Sequence, residues 1–381
     1  MKEKEEKKYF LLLYYILAIV VILAVIITFN TSNTKENRDY DLQIIASENS
    51  LRAMEVLKEK EIEVSKDYDY GDFYENFKDK QYYDSANLNT GMIGAEYTAI
   101  TTTIGNLDSK KTALNPNFAA VYIKMFQQAS LKKGDEIVIN MSGSFPMLDI
   151  SCLIAAETYG LDVFSMVSIG ASSFGATNPA FTIFDMLEYL HQKGIIKNKV
   201  NIVSLGGSND IGENFSEFND YKDKELIINR INNSDSIFLF ENDFKVNISK
   251  RLEYIFDKFN NVKLFVNVGG NSVGLGLNES AFYKANGLID ASKHRNKISI
   301  NGNTGLIEMF LSYDIDVIQM INLKTIAAEY GMEYGFSKIP EIGEGNAYYE
   351  VSYNLIYAII AILSVAAFLI IYKKRKESKE R

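Results

Sequence analysis

Two long stretches of the chain are almost wholly apolar and carry no charged residue: residues 9–29, "YFLLLYYILAIVVILAVIITF", and residues 353–371, "YNLIYAIIAILSVAAFLII". About 20 apolar residues cross the hydrocarbon of a bilayer as a helix. A helix on a soluble core keeps a polar side, and these runs have none. Hydropathy therefore predicts two transmembrane helices. The first run exceeds a signal-peptide core and no A-x-A site follows it, so it reads as an uncleaved signal anchor. Residues 1–8 carry four Lys, and residues 372–381 carry four Lys and two Arg. That excess of positive charge puts both tails on the cytoplasmic side. The predicted layout is a cytoplasmic tail (1–8), a transmembrane helix (9–29), an extracytoplasmic α/β domain (30–352), a second transmembrane helix (353–371) and a cytoplasmic basic tail (372–381).

Between the two runs the pattern changes period. Residues 30–40 are a polar spacer. Ile44, Ile45, Leu51, Met54 and Leu57 then recur at helical spacing. Residues 65–85, polar and rich in Tyr, fit either a helix pair or a surface excursion. From about residue 115, short apolar runs alternate with amphipathic ones. Strands are predicted at 135–140, 162–169, 199–205, 235–240, 262–268, 297–300 and 316–321. Helices are predicted at 147–160, 181–194, 224–233, 248–260, 305–313 and 324–331. Strands alternating with helices of this length predict an α/β fold with a mostly parallel, doubly wound (Rossmann-like) sheet.

Composition and charge restrict the chemistry. The formal net charge is −9; the first eight residues contribute +1 and the last ten +4, so the region between carries −14. A domain that acidic does not bind nucleic acid through charge, and it repels a polyanion except at local donor sites. A single cysteine, Cys152, excludes an intrachain disulfide and a cysteine metal cluster. With two histidines, His191 and His294, no metal site is expected. No cofactor is expected either. Cys152, in an apolar helix, reads as core packing. His191 reads as a solvated residue or a helix-end partner.

The ends of the predicted strands are the informative positions. They open into "MSGSFP", "GASSFGATNP", "GGSNDIG", "GGNSVGLG" and "NGNTG". In α/β sheets ligands bind beyond the carboxyl ends of the strands. Glycine lets backbone N–H groups approach a ligand, and Ser and Asn add donors. The candidate ligand-binding residues are Ser142, Gly143, Ser172, Asn178, Gly206, Gly207, Ser208, Gly269, Gly270 and Asn271. "GGNSVGLG" lacks the Lys-Ser/Thr of a nucleotide loop, and no EF-hand spacing occurs.

A catalytic reading is also open. Ser144 follows a strand and precedes a helix, where hydrolase nucleophiles sit, although G-x-S-x-G is not matched. "GGSND" looks like the oxyanion block of the SGNH hydrolases. "DASKH" supplies Asp290 and His294 in the right chain order, one residue too far apart for their D-x-x-H. The catalytic candidates are thus Ser144, Asn209, Asp210 and His294. Asp210 with Glu213 is either an acid/base pair or a helix cap.

Taken together, "NPNFAAV" (115–121), "SGSFP" (142–146), "GAS" with "NP" (170–179), "SLGG" with "D" and "G" (204–212) and "FVNVGG" (265–270) resemble the poly-γ-glutamate system proteins. The resemblance covers roughly residues 90–280 and the two-span layout. It implies a bacterial membrane protein associated with the poly-γ-glutamate ligase and membrane subunits, in contact with an anionic polymer. It brings no assigned catalytic residues. Lys110, Lys111, Arg230 and Arg251 are the cations expected near a site for γ-linked carboxylates. Small residues Ala358, Ala361 and Ser364 offer a stripe for contact with other membrane subunits. Three readings follow: a polymer- or partner-binding membrane component, a γ-glutamyl hydrolase or transferase using Ser144, and a sensor or scaffold.

Overall fold

The computed structural model describes residues 2–30, 33–67, 88, 90–213, 215, 221–277, 284–353 and 355–380. In chain order the first elements are α1 (Lys2–Asn30), β1 (Asn33–Glu36), α2 (Tyr40–Asp67), β2 (Thr101–Thr103), α3 (Leu107–Ala113) and α4 (Phe118–Gln128). Next come β3 (Glu136–Ser142), α5 (Pro146–Tyr159), β4 (Asp162–Ser168), β5 (Ala171–Ser172), α6 (Ile183–Gln192) and β6 (Ile202–Ser204). These are followed by α7 (Tyr221–Asn232), β7 (Ile237–Phe238), α8 (Phe244–Lys258), β8 (Val262–Val268) and α9 (Ser272–Leu275). The last are β9 (Gly287–Ile289), α10 (Leu306–Ser312), β10 (Asp316–Met320), α11 (Leu323–Glu329), β11 (Tyr349–Ser352) and α12 (Ile356–Glu380).

Residues 39–348 form one compact unit, a mixed α/β domain. Its central sheet has seven strands in the order β7-β6-β4-β3-β8-β10-β9. Every pairing is parallel except β10 with β9. Side chains alternate across a strand, and both faces are apolar. On one face, Val138, Met166, Ile202, Phe265 and Val317 join a core with Phe244, Ile248 and Ile255 of α8 and Phe310 of α10. On the other, the intervening Ile137, Ile139, Val163 and Val167 are buried, and α5 packs over β3 and β4, with α2 and α4 against α5.

The chain begins the sheet in its middle. It runs outward from β3 through β4 and β6 to β7, then α8 carries it back to β8 on the other flank of β3. The direction of winding therefore reverses between β3 and β8. Loops on either side of that reversal diverge and leave a crevice beyond the carboxyl ends. Local signals set the helices between. Pro146 stands at the start of α5, and Gly160, at φ 83°, ends it. Thr182 and Asp185 form a capping box on α6.

One sequence expectation needs correction. Residues 297–300, "KISI", form no strand; the segment lies beyond a short 3-10 turn and is largely exposed. The edge strand is β9, antiparallel to β10, whose three residues are too few to produce an alternating signal. The helix expected from Asp41 is α2, while residues 68–85 of the tyrosine-rich stretch lie outside the described residues.

Residues 1–38 and 349–381 form the second unit. β1 and β11 pair antiparallel, and α1 packs along α12. Residues Leu11–Asn30 and Ile356–Lys374 are long and apolar enough to cross a membrane. Tyr14 meets Phe368 edge-on at 5.1 Å between ring centroids, and Phe29 meets Tyr353 at 5.4 Å. Ala361 and Phe368 of α12 and Ala24 and Thr28 of α1 are buried in this unit. Of the small-residue stripe Ala358, Ala361 and Ser364, Ala361 is buried in this unit, whereas Ala358 and Ser364 are half-buried.

Candidate functional site

A cavity of about 920 Å³ opens beyond the carboxyl ends of β3, β4, β6, β8 and β10. Four of the five glycine-rich loops reach it: Ser142 and Ser144 after β3, Gly170 and Ser172 after β4, Gly206 to Asn209 after β6, and Gly270 to Gly276 after β8. The fifth, residues 301–305, stands behind Gly276. Leu277 N–H donates to the Asn303 carbonyl at 2.9 Å, and a Cβ on Gly276 would lie 2.5 Å from that same oxygen.

The loop after β6 is held in an unusual conformation. Gly206 and Gly207 have φ of 77° and 72°, and so do non-glycine residues Asn209 and Asp210 at 53° and 66°. Left-handed backbone at such residues costs about 1–3 kcal/mol and persists where surroundings enforce it. The enforcing contact is buried. Asp210 forms an ion pair with Arg251 at 2.6 Å, and both side chains are 0% exposed. Ser204 Oγ donates to Asp210 at 2.8 Å, and Asn247 Nδ2 at 3.1 Å. Asp210 is therefore neither an acid/base partner of Glu213 nor a helix cap; Glu213 instead accepts from Asn209 Nδ2 at 2.9 Å.

From that pair a polar network crosses the sheet under the cavity. Ser168 Oγ donates to Asp210 at 3.2 Å and accepts from Asn271 Nδ2 at 3.3 Å. Asn140 Nδ2 donates to Asn271 at 2.8 Å and to Asn267 at 2.7 Å, and Asn267 Nδ2 to Gln319 at 2.7 Å. Asn140, Asn267 and Gln319 are in register on adjacent strands. A buried polar group is tolerated when it is hydrogen-bonded; each of these residues makes at least one such bond, while Asn140 Oδ1 and Gln319 Nε2 have no partner among the described residues. The signal in the sequence was a polar residue inside each apolar strand, as in "IVIN", "FVNV" and "VIQM".

At the opposite wall, Lys110 of α3 reaches the cavity with 2% exposure. Its Nζ donates to Ser172 Oγ at 2.6 Å and to the Ser144 carbonyl, and stands 4.2 Å from the centroid of the Phe145 ring. Burial lowers its pKa to about 7, against the pull of Asp149. Asp149, on α5 beneath, is pushed well above the carboxylate range by its own burial. Neither of its carboxylate oxygens has a hydrogen-bond partner among the described residues. Beside it, burial also raises the Tyr122 hydroxyl and the Cys152 thiol, so Cys152 is an inert core residue.

The other expected cations are engaged elsewhere. Lys111 lies 3.8 Å from Asp108, and Arg230 bonds Asp185 at 2.8 Å. Ser142, Ser144, Ser172, Gly206, Gly207, Ser208, Asn209, Gly270 and Asn271 all line the cavity. Asn178 does not; it donates to Glu61 of α2 at 2.7 Å and accepts from Ala180 N–H. Gly143 and Gly269 serve packing and turning. A Cβ on Gly143 would lie 2.6 Å from the Ile169 carbonyl, and Gly269 has φ 87°.

The Ser144–His294 pairing fails on topology. Asp290 caps a short turn through Ser292, and Ala291 N–H donates to Asp316 at 2.8 Å. Asp316 opens β10, so His294 belongs to the amino edge of the sheet. Ser144 lies beyond the carboxyl edge, a strand of five residues away at about 3.3 Å each. Ser144 Oγ instead accepts the Ser172 N–H at 3.1 Å. Among the described residues, no group of three or more His, Cys, Asp or Glu is arranged to hold a metal ion. No family model matches the chain, and no curated protein matches it.

Proposed function

We propose that the protein is a membrane-anchored component of a poly-γ-glutamate synthesis or export system, whose α/β domain holds a short stretch of the polymer in the cavity. In this reading α1 and α12 cross the membrane, the tails are cytoplasmic, and the domain faces outward beside the ligase and membrane subunits. The observation that carries it is the convergence of four Gly, Ser and Asn loops on one cavity.

The ligand class follows from what those loops offer. A γ-linked glutamate unit carries one carboxylate and one amide. Carboxylates are best held by several N–H and O–H donors, and an amide needs donors and acceptors together. Ser142, Ser144, Ser208 and Ser272 supply hydroxyls beside glycine backbone. Glu213 is the one carboxylate among the described lining residues, and it is exposed. A cavity of roughly this size takes a ligand of drug-like dimensions, so the grip is local. That is compatible with a domain whose overall charge repels a polyanion. The motif resemblance supplies the polymer's identity.

The test is calorimetry on the full-length chain in detergent at fixed ionic strength. Short γ-linked glutamate oligomers are expected to bind, and α-linked oligomers of equal charge at least tenfold more weakly. Ser208→Tyr, which fills the wall, is expected to weaken γ-oligomer binding by tenfold or more. Equal affinity for both linkages, or binding indifferent to Ser208→Tyr, overturns the proposal.

A further inference from the structure

We propose that Ser172 and Lys110 form a serine–lysine pair that carries out acyl transfer on a carbonyl bound in the cavity. The proposal rests on the reading of that cavity as a ligand site and adds a reaction to it. The geometry is that of an activated nucleophile: a hydroxyl and an amine 2.6 Å apart, both on the cavity wall, within the reach that nucleophile–base pairs require.

Each partner is fixed from outside the pair. Ser172 lies on β5, paired in parallel with β2, and its N–H is held by Ser144 Oγ. Ser144, the serine singled out from sequence, therefore positions the nucleophile. Lys110 is anchored by the Ser144 carbonyl on one side and the Phe145 ring on another. Gly105 leaves the room: a Cβ there would stand 3.1 Å from Lys110 Cε, 3.3 Å from Ser172 Oγ and 2.4 Å from the Ser173 carbonyl.

Protonation favours the role. A lysine acts as a base only when neutral, and burial brings Lys110 to about 7. One charged group is shown to bear on it, Asp149, which favours the protonated amine; the other acids nearby are more remote or engaged. Asp149 of α5 is driven toward its neutral acid by burial, Glu213 stands exposed at the cavity wall, and Asp108 on its own helix lies near Lys111.

The step balances without a further reagent. Ser172 Oγ forms a bond to the carbonyl carbon as its proton passes to Lys110 Nζ, and the carbonyl π pair moves onto oxygen. Collapse restores the carbonyl and breaks the bond to the leaving nitrogen or oxygen, which takes the proton from Lys110. The resulting Ser172 ester is opened by water or by the amine of an acceptor chain. That nucleophile gives its proton to Lys110, which returns it to Ser172 Oγ.

The experiment uses the full-length protein in detergent and a fluorophosphonate probe, with mass spectrometry to locate the adduct. Labelling is expected at Ser172, rising about tenfold per pH unit below pH 7 and levelling above it. Ser172→Ala is expected to abolish it, and Lys110→Gln to slow it by about 100-fold. Should Lys110→Gln fail to fold, Ser172→Cys replaces it: its alkylation rate is expected to show the same inflection near pH 7. Labelling absent from Ser172 in the folded wild-type protein overturns the pair, as does a rate without the inflection. Calorimetry with γ-glutamyl oligomers on the wild-type protein, read beside its labelling, separates the two proposals. Binding without labelling leaves the ligand site and removes the reaction, whereas labelling without binding leaves the pair and removes the polymer.

Discussion

Arg251 carries a full charge at 0% exposure, and Asp210 beside it is equally buried. Together with Ser204 and Asn247 they hold the left-handed loop that forms one wall of the cavity. Removing one partner leaves the other charge uncompensated, at a cost of about 3–5 kcal/mol, whereas replacing both by apolar groups costs far less. Denaturant unfolding of the detergent-solubilised chain is expected to show Arg251→Met destabilised by that amount. The double variant Asp210→Leu with Arg251→Met is expected to be more stable than Arg251→Met alone. Equal destabilisation in both would mean that the pair does not set the loop. Sequence made Arg251 a ligand cation because an arginine on an amphipathic helix gives no sign of facing inward. It made Asp210 catalytic because "GGSND" has the look of a hydrolase block. Both assignments required a partner from 41 residues away in the chain, which spacing does not reveal. Lys110 and Ser172 were each legible as site residues, but their pairing, across 62 residues of chain, was not.

At the scale of elements, the sequence was most legible where the signal is local. Turn chemistry marked the loops after β3, β4, β6 and β8, and strand periodicity found the parallel core. The short antiparallel β9 escaped, because three residues define no period and the pairing with β10 is set from outside. α6 illustrates how local coding fixes a helix. Thr182 N–H donates to Asp185 at 2.8 Å, the Thr182 hydroxyl to the same carboxylate at 2.7 Å, and Arg230 grips its other oxygen at 2.8 Å. Thr182→Ala removes the cap hydroxyl but leaves Asp185 paired. It is expected to destabilise the domain by about 1 kcal/mol, read from urea unfolding. The γ-oligomer affinity is expected to stay unchanged, since Thr182 does not line the cavity. A loss of several kcal/mol would instead assign Thr182 a packing role beyond the cap.

Over the whole molecule, hydropathy and flanking charge make the strongest claim. Both apolar helices belong to one unit with their own pairing of β1 and β11, so the chain leaves and returns through adjacent elements. The Lys and Arg residues flanking the two apolar runs, four in residues 1–8 and six in residues 372–381, follow the positive-inside asymmetry when both tails stay in the cytoplasm. Cys152 makes this directly measurable, because the one native thiol is buried and kept protonated by that burial. Two single substitutions on exposed lysines, Lys133→Cys in the α/β domain and Lys374→Cys beyond the second apolar run, give the readout. In spheroplasts a membrane-impermeant maleimide is expected to label Lys133→Cys at once and Lys374→Cys only after lysis. The reverse pattern would put the cavity in the cytoplasm, where a grip on an emerging exported chain has no place. Equal labelling of both before lysis would mean that the helices do not span. Labelling as expected would put Ser172 and Lys110 on the outer side of the membrane, so that, under the proposed function, any acyl transfer there would trim or attach finished chains rather than build them.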